Sequence, residues 1–256
     1  MKYILTFIVI CLLAGPISLS AQHTRFITEG VIEFNKSVNM HALLKKIIAK
    51  DKSTFMQQIA EQYIRTQPQF KVMKSTLSFS KDKTLFKPVE EAASSTMFFT
   101  QGVNQNNTIF NDLSTGMSIS QKKVFEETFL VSDSTRKIKW KITDETRNIA
   151  GYDCRRANAL VMDSIYVVAF YTDDIVPSGG PESFSGLPGM ILGVALPHEN
   201  TTWFASSVSD RPVPPNALVP PKKGKAATHK SLRETLLSVM KNWGSSAQTI
   251  LKDFML

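Results

Sequence analysis

Residues 177–205 read PSGGPESFSGLPGMILGVALPHENTTWFA, and here the densest turn chemistry of the chain runs directly into its most apolar strand. Leu187 precedes a proline and is pushed toward extended backbone. Pro188 presets its φ for the second position of a turn, and Gly189 supplies the positive φ that a type II turn needs next. Gly186, Leu187, Pro188 and Gly189 therefore form a rigid corner, approached through Gly179 and Gly180. From Met190 to Leu196 nearly every residue is apolar, without the alternation of a strand that keeps one wet face. Such a strand is expected to be covered on both sides.

A second block lies upstream. Trp140 to Thr146 leads into Ile149-Ala150-Gly151-Tyr152-Asp153-Cys154-Arg155-Arg156-Ala157. Together with the corner, this block resembles the GLPGLI family, exported proteins common in Bacteroidota, with Met190 in place of the usual leucine. The resemblance covers roughly Trp140 to Ala205 and brings no defined biochemical activity. It implies an exported protein, in the periplasm or at the cell surface, whose setting is accessory to outer-membrane uptake.

The N-terminus agrees with export. Met-Lys-Tyr is followed by an apolar run from Ile4 to Gly15 and by Ser18-Leu19-Ser20-Ala21, a small-residue cleavage pattern, so residues 1–21 read as a signal peptide. The run is shorter than the roughly 20 residues of a membrane span and is broken by Gly15-Pro16. Cys11 has no small residues ahead of it, which argues against a lipoprotein cleavage site. Without Lys2 the chain carries 29 Lys and Arg against 22 Asp and Glu, a net charge of +7 in short clusters. No helix-turn-helix, zinc-finger or aromatic RNA-binding signature accompanies that charge, so nucleic acid is not an expected partner. Attraction to an anionic envelope surface is the reading that fits. Cys154 alone remains after processing and is read as a buried small hydrophobe on a strand.

Along the chain, Thr28 to Asn39 alternates as a strand, with Ile32, Phe34 and Val38 on one face. A short amphipathic piece at His41 to Ile48 follows. Asp51-Lys52-Ser53 offers a cap to a helix reaching Thr66, in which Phe55, Ile59, Tyr63 and Ile64 recur at helical spacing. Phe70 to Phe79 and Leu85-Phe86 form a hairpin around Lys81-Asp82-Lys83, and a polar stretch from Glu90 to Asn107 surrounds the apolar Met97 to Phe99. Strands are expected at Thr108 to Leu113, Met117 to Val124, Glu127 to Val131 and Lys137 to Asp144. Two hairpin arms, Ala157 to Met162 and Ile165 to Tyr171, flank Asp163-Ser164. Past Asp210, Pro214-Pro215 and Pro220-Pro221 favour an extended strap. Thr228 caps a helix with Leu232, Leu236, Leu237 and Met240 on one stripe, and Gly244-Ser245 opens a second with Ala247, Ile250, Leu251 and Phe254.

The fold expected is therefore α+β: a long twisted antiparallel sheet curled into a bowl or half-barrel, one helix packed on it, and a C-terminal helical extension. The organisation is a signal peptide at 1–21, a β-rich domain at 22–210, a Pro/Lys-rich strap at 211–227 and the helical extension at 228–256, an addition dispensable for folding of the sheet.

Few constellations carry chemistry. The Gly-rich corner lacks the Lys-Ser/Thr of a phosphate loop and opens a strand instead of a helix. Ser183 and Ser185 lack the Gly-x-Ser-x-Gly frame of a hydrolase elbow. His198-Glu199 leaves a buried strand and is followed by Trp203, but position 202 is Thr, not the second His of a metalloprotease. Neighbours on a strand point to opposite faces, so the pair acts together only through a turn or bulge. An ordinary hairpin tip is the plainer reading, and Glu182 joins the pair only if the corner folds back. Glu182, His198, Glu199 and Trp203 are thus carried as candidate ligand or partner contacts, with no catalytic residue, metal or cofactor assigned. The paired carboxylates Glu90-Glu91 and Asp173-Asp174 read as solvated loop charges. Asp163-Ser164-Ile165 resembles a short O-glycosylation acceptor of exported Bacteroidota proteins, beside its reading as a plain turn.

Three functions follow: a non-catalytic envelope protein that binds a partner or ligand; a carrier of a lipid or other apolar ligand in a half-barrel cavity lined by Met97, Phe98 and Phe99; and a hydrolase or metal site around His198 and Glu199.

Overall fold

The computed structural model describes residues 26–50, 53–89, 103, 104, 106–243 and 245–256. The segment 1–21 expected to be a signal peptide, the helix-cap residues Asp51 and Lys52, the carboxylate pair at 90 and 91, the apolar Met97 to Phe99 and Gly244 lie outside the described residues.

The chain is an α+β protein built on one curled sheet of 12 strands among the described residues. Strand β1 (Glu29–Asn39) alternates as its sequence requires, burying Ile32, Phe34, Lys36 and Val38 on one face. Helices α1 (Met40–Lys50) and α2 (Thr54–Thr66) follow; the Ser53 side chain accepts the Met56 amide and caps α2. The chain then lays down β2 (Phe70–Ser80), β3 (Lys83–Pro88), β4 (Thr108–Asp112), β5 (Met117–Val124) and β6 (Glu127–Ser134) as successive antiparallel neighbours running outward from β1. Beyond a short link come β7 (Lys141–Ile149), β8 (Tyr152–Val161), β9 (Ile165–Thr172), β10 (Met190–Leu196) and β11 (Thr201–Ser209), with β8 to β11 each pairing with the strand before it. β11 returns to the free side of β1 and joins the two halves.

This order forces the curl. β6 and β7 stand ten positions apart in the sheet, about 48 Å if it were flat. Only the segment between Ser134 and Lys141 connects them, and it can span about 24 Å. The sheet must therefore bend until its two ends approach across the interior. Register shifts in β1 at Glu33/Phe34 and between Ile191 and Gly193 of β10 mark bulges, which bend strands locally.

The main core fills the inner face, with Phe34, Leu77, Phe79, Phe86, Val167, Ile191 and Val194 in one cluster. β10 is buried along almost its whole length, as its unbroken apolar run requires.

The C-terminal region adds to this sheet. The Pro/Lys-rich segment is not extended strap throughout: its last residues form β12 (Lys225–Ala227), which pairs with β6 in parallel and makes the sheet mixed. Helix α3 (His229–Val239) begins at a Thr228 cap, and α4 (Ser245–Met255) follows. Their stripes, Leu232, Leu236, Leu251, Phe254 and Met255, pack with Val124 of β5 and Val131 of β6. No helix among the described residues is long and apolar enough to cross a membrane.

Candidate functional site

The Gly-rich corner runs through the inside of the curl. It leaves β9 beside Ile27, where the Ile27 amide donates to Asp174 O at 2.8 Å and the Val176 amide to Ile27 O at 2.9 Å. The Ser178 hydroxyl donates to Leu187 O at 2.6 Å and takes the Gly186 amide at 3.1 Å, so the two ends of the loop are tied together. Across the loop, Trp140 donates its indole N–H to Ser185 O at 2.9 Å.

The turn at Leu187-Pro188-Gly189 differs from a type II turn. Its closing bond is Gly189 N to Leu187 O at 2.8 Å, while the Met190 amide is drawn to Ile175 O at 3.0 Å, so the sheet takes the donor that the turn would have used. Gly189 sits at φ +131°, and a Cβ there would collide with Thr172 O. Gly179 lets the loop reach the opposite wall, since a Cβ there would lie 2.8 Å from Thr84 Cγ2 on β3. Gly180, Leu187 and Met190 are buried with it, whereas Gly186 and Pro188 are exposed.

This path carries Glu182 into the interior. Its backbone has φ +52° and the residue is 7% exposed, with Oε2 accepting from Asn107 Nδ2 at 3.0 Å. Two lysines share that interior. Lys36 projects from β1 between Phe34 and Val38, and Lys122 from β5 between Ser120 and Val124. Lys36 Nζ donates to Val103 O at 3.0 Å and lies 5.3 Å from the centroid of the Trp203 ring. Lys122 Nζ donates to Phe254 O at 3.2 Å. Burial raises the Glu182 carboxyl above its ordinary range, opposed by Lys36, Asn107 and Lys122. It lowers the Lys36 ammonium as well, against the pull of Glu182 and Asp253.

Two further polar atoms face this region. Ser75 Oγ on β2 and Trp203 Nε1 on β11 are buried and have no hydrogen-bond partner among the described residues. Trp203 stands opposite Lys36 across the β1–β11 pair, and Ser75 opposite Phe34 across the β1–β2 pair. Trp203 is thus the direct neighbour of Lys36 on one side of β1, and Ser75 lies diagonally to it on the other, with Met73 directly opposite.

Of the four residues expected at a site, the fold gathers two. Glu182 and Trp203 both face Lys36, while His198 and Glu199 sit in a 3-10 turn, Pro197–Glu199, between β10 and β11. His198 is exposed there, its ring centroid 6.4 Å from that of Tyr166. Glu199 pairs with Lys46 of α1 at 3.6 Å, and the same lysine donates to His198 O at 2.9 Å. The turn is thus tied to α1 by Lys46, apart from Glu182. Ser164 is exposed at the β8–β9 tip. Burial, with Asp153 and Asp174 nearby, pushes the Cys154 thiol up to about 12. A thiol held there is not a nucleophile at neutral pH.

Sequence reasoning missed Lys36, Ser75, Asn107 and Lys122. Lys36 had a signal: it occupies an apolar-face position of an alternating strand, between Phe34 and Val38, where a charge is out of place. Asn107 and Lys122 had none, because their convergence with Glu182 depends on the curl.

A family profile described as "Protein of unknown function (Porph_ging)" matches residues 158–193, from the middle of β8 through the Gly-rich corner into β10. No curated protein matches the chain. Among solved structures, PNGF-II in space group P21 is similar with a TM-score of 0.50 and 16% identity, covering 81% of this chain and 33% of that one. PNGF-II in space group C2 gives 0.51 and 15%, over 80% and 32%. At these identities the likeness concerns the fold alone, and this chain spans about a third of the length of the PNGF-II chains.

Proposed function

We propose that the protein is an exported, non-catalytic binding protein of the cell envelope that seats a polar ligand inside its curled sheet. The observation that carries this reading is the surroundings of Lys36: a buried ammonium with the buried indole N–H of Trp203 directly across β1–β11 and the buried hydroxyl of Ser75 diagonally across β1–β2, both without a hydrogen-bond partner among the described residues. Each unsatisfied buried polar group costs about 1–3 kcal/mol, which a bound ligand with matching atoms would offset.

The turn at His198 and Glu199 offers less to a hydrolase. Its histidine is exposed and its carboxylate is engaged by Lys46. Export rests on the signal-peptide reading of residues 1–21 and on the resemblance of the corner to the GLPGLI family. That a similar fold makes up about a third of PNGF-II supports the view of this unit as a module working with other parts, such as an uptake system.

Native mass spectrometry of the protein purified from its own host's envelope, before and after mild denaturation, tests the reading. Release of a small polar molecule is the expected result. A released lipid would replace the polar ligand by an apolar one, and a chain bare under both conditions would overturn the interior seat.

A further inference from the structure

We infer that the ligand of this seat is a small oxyanion, a carboxylate or a phosphate, bound by Lys36, Ser75 and Trp203. The inference rests on the binding reading above and names the chemistry that the seat selects.

The donors set the class. The indole N–H of Trp203 can only donate, and so can the Lys36 ammonium, one of whose three N–H groups is taken by Val103 O. The Ser75 hydroxyl has no partner and can donate as well. A ligand that satisfies all three must present acceptor atoms.

Charge points the same way. Glu182 from the corner and Asp253 from α4 are the acids that act on Lys36, yet no carboxylate among the described residues lies within ion-pair distance of its ammonium. Its direct neighbours are a neutral carbonyl and an aromatic ring. A buried cation without a direct counter-ion is costly, and an oxyanion supplies both the charge and the acceptors. Lys71, the other charged group that acts on Lys36, is a cation and adds to the field that an anion would meet.

The indole resonances test this. The chain has three tryptophans, and a Trp203→Phe variant identifies the Trp203 indole N–H signal in the proton–nitrogen spectrum. Inorganic phosphate and sodium acetate are titrated separately into the full exported chain at constant ionic strength, with sodium chloride as the reference salt. The expected result is a saturable downfield shift of the Trp203 indole signal with one or both oxyanions and none with chloride. Ser75→Ala, which removes a hydroxyl that makes no hydrogen bond, is expected to weaken the apparent affinity about tenfold, and Lys36→Met to abolish the shift. Comparing the two titrations separates a carboxylate ligand from a phosphate.

A Trp203 signal that does not move, that moves equally with chloride, or that moves equally in Ser75→Ala overturns the oxyanion assignment. If the same protein releases a polar molecule of another class in the mass-spectrometric experiment, the seat stands and only its chemistry falls. If it releases nothing and the indole signal is inert, both fall together.

Discussion

Lys122 Nζ on β5 donates to the backbone carbonyl of Phe254 on α4 at 3.2 Å, a bond between residues 132 apart in the chain. The last carbonyls of a helix have no partner within it and carry the negative end of its dipole. Here three successive ones are received by the sheet and its links: Phe254 O by Lys122, Met255 O by Arg136 Nη2 at 2.6 Å, and Leu256 O by the Ser183 hydroxyl at 2.8 Å. Arg136 Nε also donates to Ser183 at 3.2 Å, so the β6–β7 link, the Gly-rich corner and α4 meet at one point.

Lys122 makes stability depend on alkaline pH. Burial holds its ammonium down at about 8, from an ordinary 10.5, with Arg136 adding to the effect and Glu182 opposing it. A base whose folded pKa is depressed contributes stability that is present above the unfolded value and lost as pH falls through the folded one. The protein therefore gains stability between about pH 8 and pH 10.5 through this group, on the order of 3 kcal/mol at most. Urea denaturation across that window, compared with Lys122→Met, is expected to show the rise in the wild type and a flatter profile in the variant. Parallel profiles would refute it.

Asp253 works in the opposite direction. Burial, then Glu199, raises its carboxyl to about 6 from 3.8, while Lys36, Lys46 and Lys252 oppose the shift. An acid with a raised folded pKa contributes stability below its unfolded pKa that is lost as pH rises through the folded one. Asp253→Asn should thus be the more stable protein above pH 7, by about 1–2 kcal/mol, and close to wild type near pH 4. Differential scanning calorimetry at the two pH values checks this, and equal Tm differences at both would contradict it.

Gly189→Val is expected to cost about 3 kcal/mol or more. The substitution meets both the positive φ and the carbonyl of Thr172, which occupies the space that a Cβ would need. The readout is the denaturation midpoint together with the yield of folded protein. A variant that folds at wild-type stability would mean the corner does not depend on this glycine.

Removal of residues 245–256 should lower stability by about 4–9 kcal/mol, because Leu251, Phe254 and Met255 leave the inner cluster together. Lys122, Arg136 and Ser183 lose their acceptors at the same time. This outcome differs from a tail dispensable for the sheet. Thermal unfolding followed by circular dichroism decides between them, and an unchanged midpoint would restore the tail as a separate addition.

How much of this was legible in the chain can be followed residue by residue. Local rules sufficed for the elements: period-two burial for β1, the Ser53 cap for α2, and the unbroken apolar run for β10. Each of these is decided by near neighbours in sequence, through sterics, capping bonds or alternation. The curled α+β class followed from the hairpin order. The start of β7 did not, because Lys137 to Trp140 belongs to the link that joins the two ends of the sheet, with the Trp140 indole tied to Ser185.

By itself, then, the sequence determined which segments become strands and helices, which face of each is apolar, and that Gly189 must adopt a conformation other residues avoid. Tertiary structure alone decided that Glu182 meets Asn107, Lys122 and Lys36, that Trp203 stands opposite Lys36 and Ser75 opposite Phe34, and that α4 ends on Lys122 and Arg136. The reason is physical: strand alternation specifies the side to which a residue points, whereas the groups that meet there depend on how far a sheet of 12 strands bends, a property of all its pairings at once.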